Sequence, residues 1–306
     1  MTALGAFGMT KIEVRLFGTT TIVLPDGSTI TEMGGIKPRQ VLEMLASSVG
    51  TPISKDRLVE QLWGDNPPRT YNATMESYIS MLRRRMGGSR GRRSPLTTTS
   101  TGYLLDPTQV KVDVDEFRRL VQPVPGVHPE LALARIEEAL QLVTGEVIAS
   151  EPYAEWAADE RRGFHGEYLQ ACNRAAAYAL EIARPHVTVE MARRAVGLDE
   201  MSETSWQLLI RGLAATGARS EALRAYLDLR RTLVDGLGTE PSTASRALYL
   251  ALLAEDRDEA RPATTVNEVK TLLALLRDAL DGLPEPHLSP RDRRVTERAE
   301  RLVRAA

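Results

Sequence analysis

Cysteine is nearly absent from this 306-residue chain, with Cys172 the only one. A single thiol excludes internal disulfides and a cysteine-based zinc cluster, fits a reducing cytoplasm, and reads as a small buried core residue. Histidine is sparse too, and His128, His165, His186 and His287 are too far apart for metal-ligand spacing. There is no nucleophile-elbow motif, and Gly87-Gly88-Ser89-Arg90-Gly91 lacks the Lys-Ser/Thr that a phosphate-binding P-loop needs. Neither catalysis, nor a cofactor, nor a metal is expected. No apolar run is long enough to span a membrane, and the opening MTALGAFGM lacks a basic start followed by a long apolar core, so no signal peptide is expected.

What is present divides unevenly. The length suits two domains with real cores. Residues 1–110 carry 13 Lys plus Arg against 9 Asp plus Glu, a net +4, whereas the remainder is at −6. A mildly basic front and an acidic rear suggest that the first touches nucleic acid and the second does not. Arg outnumbers Lys 34 to 5, a bias that genomic GC content explains better than function.

The most informative stretch of the basic part is TYNATMESYISMLRRRM, residues 70–86. Met75, Ile79, Leu82 and Met86 fall on one narrow helical stripe that must face a core. On the opposite side Ala73, Ser77, Ser80 and Arg84 repeat the same spacing, with Met81 on one shoulder and Glu76 and Arg83 on the other. Small side chains over several turns let a helix sit deep in a DNA groove, where hydroxyls reach base edges and an alanine can touch a thymine methyl. The candidate recognition-helix residues are Ala73, Thr74, Ser77, Ser80, Met81, Arg83 and Arg84; the alternative is an amphipathic helix with a solvated outer face. Gly87 and Gly88 end the helix, and six arginines between positions 83 and 93, Arg83, Arg84, Arg85, Arg90, Arg92 and Arg93, form a cluster beside it suited to phosphate. Leu96–Thr99 and Tyr103–Leu105 are β-rich around a Ser100-Thr101-Gly102 turn. Helix, basic loop and hairpin make a winged-helix pattern.

Upstream, Lys11–Leu24 and Ser28–Met33 read as strands joined by a Pro25-Asp26-Gly27 turn, giving a small antiparallel N-terminal sheet. A first helix runs from Lys37 to Ser48, with Lys37 and Arg39 placed to meet DNA phosphates. Ser54 N-caps a second helix whose Leu58, Val59, Leu62 and Trp63 pack inward. A stiff two-proline turn, Gly64 to Arg69, leads into the recognition helix.

On KPRQVLEML, on Leu58, Leu62, Trp63 and Gly64, on YISMLRRRM and on Thr101-Gly102-Tyr103, residues 11–105 resemble the OmpR-type winged helix of the Streptomyces antibiotic regulatory protein family. The chain departs from that pattern at Met81, where the family often has Arg, and at Leu104, where it often has a basic residue.

Beyond Pro107 the chain reads as amphipathic helices with short breaks. From Ser202 a helical hairpin sets Trp206, Leu209, Ala222 and Tyr226 at tetratricopeptide positions, with Gly217 at the turn. Trp156, Trp206 and Tyr226 are read as core packing rather than a ligand cage. Residues 112–254 resemble the bacterial transcriptional activator domain of the same family. The expected fold is mainly α and multidomain: a flexible N-terminus over 1–10, an α+β winged helix-turn-helix over 11–107, an all-α tetratricopeptide-like activator domain over 112–258, and a linker with a C-terminal helical extension over 259–306. In that last part VNEVKTLLALLRDAL is strongly amphipathic, and docking on the helical domain is its expected role.

The resemblance implies a transcriptional activator that binds short direct repeats of double-stranded promoter DNA, as a tandem homodimer, and recruits RNA polymerase holoenzyme through its sigma factor and other subunits. It implies that the wing, with Thr99 and Thr101, reaches adjacent backbone or minor groove, that Arg90, Arg92 and Arg93 hold phosphates, and that Asp65, Asn66, Pro67, Pro68 and Arg69 meet polymerase. A secondary-metabolite (antibiotic) gene cluster is the implied target, in the cytoplasm and on the nucleoid. Without a receiver domain ahead or a large nucleotide-binding domain behind, neither receiver phosphorylation nor ATP dependence is expected. A repressor with the same DNA contacts and a helical-repeat interaction scaffold are the alternatives.

Overall fold

The computed structural model describes residues 11–87 and 94–259. The flexible N-terminus expected over 1–10, the phosphate arginines Arg90, Arg92 and Arg93, and the amphipathic and Arg-rich stretches after residue 259 lie outside the described residues.

The β-branched start of the chain forms β1 (Ile12–Arg15), which pairs antiparallel with β2 (Thr21–Val23), itself paired with β3 (Thr29–Ile30). The sheet is not purely antiparallel as expected. A fourth strand, β7 (Val110–Val112), joins the free edge of β1 in parallel, in register Ile12 with Val110 and Val14 with Val112. The partner strand comes from beyond the wing, almost a hundred residues away, a distance that local alternation does not encode.

Three helices follow the pattern of apolar spacing. Helix α1 (Ile36–Ala46) buries Val41, Leu42 and Leu45. After the two-residue strand β4 (Ile53–Ser54), helix α2 (Lys55–Trp63) starts with the Ser54 hydroxyl accepting from the Arg57 amide at 3.1 Å, satisfying one of the orphan donors of the first turn. Leu58, Val59 and Leu62 are buried, whereas Trp63 is half-buried and stacks on Tyr78 with ring centroids 6.4 Å apart. Helix α3 (Tyr71–Arg85) presents Met75, Ile79 and Leu82 to the core, and Met86 just beyond it is buried as well.

The hairpin of β5 (Leu96–Thr98) and β6 (Gly102–Leu105) adds to β4 in a second sheet, ordered β4-β6-β5. Only glycine fits at 102, because a Cβ there would lie 1.9 Å from the carbonyl oxygen of Ile53.

Seven helices make up the rest of the described residues: α4 (Asp113–Val121), α5 (Pro129–Leu142), α6 (Glu155–Glu181), α7 (Pro185–Leu198), α8 (Glu203–Ala215), α9 (Arg219–Leu237) and α10 (Thr243–Glu259). From α4 to α9 each packs against the next, as in a helical repeat. Ala171, Ala175, Ala176 and Ala179 of α6 are fully buried and let its neighbours approach closely. Trp206, Leu209, Ala222 and Tyr226 are all buried in the α8–α9 hairpin, and Gly217 takes φ +79° in its turn. Cys172 is buried in α6, and desolvation pushes its thiol up to about 11, so it stays protonated and inert. Trp156 is half-buried, less enclosed than its expected core role.

Two units are distinguished, 1–249 and 250–306, the boundary falling within α10. Within the first, the winged and helical parts interlock. The carboxylate of Asp113 accepts from the backbone amides of Leu16, Phe17 and Val114. The Ile148 amide donates to Leu16 at 2.8 Å and the Gly18 amide to Glu146 at 2.9 Å. Phe17, Phe117 and Phe164 form an aromatic cluster, with Phe164 4.9 Å from each of the others.

Candidate nucleic-acid interface

The outward surface of α3 is built by subtraction. Once Met75, Ile79 and Leu82 have turned inward, the helix leaves Ala73, Ser77, Ser80 and Arg84 exposed on its opposite side, with Thr74 half-buried at the shoulder. Arg85 is exposed as well, so the last turn carries cations where the carbonyl ends of the helix dipole favour them.

The shoulders behave differently from that face. Met81 is half-buried and covers Gly34 at the entrance to α1: a Cβ on Gly34 would fall 1.9 Å from the Met81 sulfur. Gly34 also has φ +85°, a conformation only glycine adopts freely. The side chain at 81, expected among the groove-facing residues, thus packs in part against the loop that enters α1. Arg83 is engaged within the chain too: its Nε donates to the Leu96 carbonyl at 2.9 Å and its second guanidinium nitrogen to the Thr98 hydroxyl at 2.7 Å.

Two other expected phosphate ligands are also occupied. The Lys37 ammonium donates to the Leu62 carbonyl. Arg39 lies 2.7 Å from Glu151 and 3.4 Å from Glu43, bridging α1 to the helical part. Both cations are thus paired within the chain, Lys37 with the carbonyl of Leu62 near the end of α2 and Arg39 with carboxylates of α1 and the helical part. Sequence spacing gave one usable signal for Arg39, since Arg39 and Glu43 are an i, i+4 pair; Glu151 carried none.

In the wing, Thr99 stabilises the turn, its hydroxyl accepting from the Gly102 amide at 3.0 Å, whereas Thr101 is exposed at the tip. All of Asp65, Asn66, Pro67, Pro68 and Arg69 are exposed. Their turn starts at Gly64, on the rim of an open groove of about 1180 Å³ between α2 and the Ser150–Trp156 segment. Tyr153, 95% exposed, lines this groove, which sequence patterning did not reveal. Among the described residues no cluster of three or more His, Cys, Asp or Glu is arranged to hold a metal ion, and no helix is long and apolar enough to cross a membrane.

Comparison with known proteins gives this geometry its family. Residues 35–105 match the model described as transcriptional regulatory protein, C terminal, and residues 112–253 match the bacterial transcriptional activator domain. The regulatory protein DnrI of Streptomyces peucetius is 31% identical over 251 residues, covering 76% of this chain and 88% of that protein. The transcriptional regulator RedD of Streptomyces coelicolor is 25% identical over 260 residues, 80% of this chain and 71% of that one. Among solved structures, Mycobacterium tuberculosis EmbR in complex with a low-affinity phosphopeptide superposes with a TM-score of 0.71 at 25% identity, over 89% of this chain and 71% of that one. With an OmpR-type DNA-binding domain followed by a bacterial transcriptional activator domain, the chain belongs to the Streptomyces antibiotic regulatory protein family of transcriptional regulators.

Proposed function

We propose that the chain is a sequence-specific transcriptional activator that binds short direct repeats at promoters as a tandem homodimer and recruits RNA polymerase. The observation that carries this reading is the exposed face of α3, where Ala73, Ser77 and Ser80 leave room for close approach to base edges and Arg84 adds one long donor. The wing tip at Thr101 extends the surface toward the neighbouring backbone or minor groove. Arg90, Arg92 and Arg93 supply phosphate contacts, whose counterion release makes affinity fall steeply with salt.

Polymerase contact is assigned to the exposed turn Asp65 to Arg69. Its support is position: the turn leads directly into α3, all five residues are exposed, and Gly64 just before it lies on the rim of the groove that holds Tyr153. The activator domain is proposed to support tandem assembly and further polymerase contacts, in the cytoplasm at the nucleoid. A secondary-metabolite cluster is the proposed target, by analogy with the family.

The test is a footprint on the promoters nearest the gene, with and without polymerase holoenzyme. Paired direct-repeat protection that strengthens with polymerase is the expected result. Protection that excludes polymerase would make the protein a repressor, and no protection at low salt would leave the helical-repeat scaffold. Alanine substitution across residues 65–69 is expected to abolish activation while leaving DNA binding intact.

A further inference from the structure

Arg83 is three residues from Ser80 and one from Arg84, yet its guanidinium turns toward the protein. It reaches across to the hairpin and donates to both ends of β5, to the Leu96 carbonyl at 2.9 Å and to the Thr98 hydroxyl at 2.7 Å. One planar, rigid group bonded at two points along a strand restrains both its slide and its tilt, which a flexible ammonium cannot do. The opposite side of the hairpin is held differently. There β6 pairs with β4, and the Gly102 Cα lies so close to Ile53 that no side chain fits between. The two edges of the wing are thus gripped independently, one by backbone pairing and one by a side chain of α3.

We propose that Arg83 is a positioning residue that locks the wing against the recognition helix, and so sets the register between what the helix reads in the major groove and what the wing reaches beside it. The inference rests on the DNA-binding reading of α3. It separates three arginines that the sequence presents as equals. Arg84 and Arg85 are exposed on the helix, while Arg83 acts through the wing and reads nothing itself. Specificity at the wing-side positions of a repeat would then depend on a residue that touches neither base nor phosphate.

The experiment uses the full chain and an operator selected by the wild-type protein from a random-sequence duplex library. Hydroxyl-radical footprints and salt titrations are compared for Arg83→Ala, Arg83→Lys, Thr98→Val and the Arg83→Ala/Thr98→Val pair. If Arg83 positions the wing, Arg83→Ala loses wing-side protection, keeps helix-side protection, and weakens binding by about tenfold, as for loss of a charge-assisted hydrogen bond. The slope of log affinity against log salt stays at the wild-type value. Arg83→Lys behaves like the alanine variant, and Thr98→Val shows part of the same defect. The double variant is no weaker than Arg83→Ala, because both remove one interaction.

A phosphate contact gives the opposite pattern and overturns the inference: a slope reduced by about one, rescue by Lys, and indifference to Thr98→Val. Thr98 is exposed and valine is close to it in shape, so that variant decides the matter even where Arg83→Ala fails to fold. A wild-type chain that selects no duplex at low salt overturns the DNA reading itself, and the inference with it.

Discussion

The carboxylate of Glu43, on α1 of the winged domain, accepts a 2.6 Å hydrogen bond from the hydroxyl of Ser150 in the activator domain. Thr20 donates to the same oxygen at 2.5 Å, and Arg39 stands between Glu43 and Glu151. Glu43 is fully buried, and desolvation raises its pKa although both hydroxyls and Arg39 pull it down. Removing Arg39 would strip the guanidinium that pairs with both carboxylates. Arg39→Ala is therefore expected to lower the unfolding free energy by about 1–3 kcal/mol, read by denaturant titration. The salt dependence of DNA binding should be unchanged. A slope shallower by about one would restore Arg39 to the phosphate contacts.

Gly102 tests the architecture of the wing. Its missing Cβ would meet the Ile53 oxygen at 1.9 Å and the Ser54 Cα at 2.8 Å, both backbone atoms that cannot rotate away. Gly102→Ala should part β6 from β4 and destabilise the domain by about 2 kcal/mol or more, as over-packing and lost pairing combine. Amide exchange is the direct readout: protection should fall at Ile53, Ser54 and Tyr103 and persist in α6. Unchanged protection across β4 and β6 would show that the sheet accommodates the methyl group.

How much of this was legible in the residues depends on the range of the interaction. The Met75, Ile79 and Leu82 stripe and the Ser54 cap are encoded within a turn or two, and local periodicity sufficed for both. The tetratricopeptide hairpin was equally readable, since Trp206 and Ala222 belong to adjacent helices. What escaped was set by partners far along the chain. Strand β7 completes a sheet started at residue 12, Asp113 binds the amides of Leu16 and Phe17, and Arg39 finds Glu151. An arginine on a helix surface looks the same in sequence whether it faces phosphate or a carboxylate from another domain. For the same reason the residues alone do not distinguish Arg83, which bonds the hairpin, from Arg84, nor show that Met81 packs over Gly34.

The exposed face of α3 makes a sharper demand on size than on charge. Ser77 is exposed, so Ser77→Trp should leave thermal stability nearly unchanged while holding the helix away from the groove. Operator affinity should fall by about a hundredfold, the equivalent of losing one or two good base contacts. Arg84→Ala should cost about 1–3 kcal/mol and relax selectivity at a single position of each repeat. Binding isotherms on the selected operator and its single-base variants measure both. A tryptophan at 77 that binds as tightly as serine would mean that α3 does not enter the groove.

Asp113 gives the fold an unusual pH response. Burial raises its carboxyl from 3.8 to about 6, against the pull of the Leu16, Phe17 and Val114 amides. Between those two values the folded chain holds a proton that the unfolded chain has released, so the linkage slope is negative. The stability this group contributes is complete below about 3.8 and is lost as pH rises through 6, a difference on the order of 3 kcal/mol. Most buried acids that gain a cation behave the other way, so the comparison must isolate this one. Asp113→Asn keeps an acceptor for the amides and cannot titrate. The stability of the wild type minus that of the Asn variant should therefore decline from pH 4 to pH 7 in denaturant titrations, other carboxylates cancelling between the two proteins. A difference that is flat or rises over this range would show that the three amides hold Asp113 charged, and that their attraction outweighs the cost of burying it.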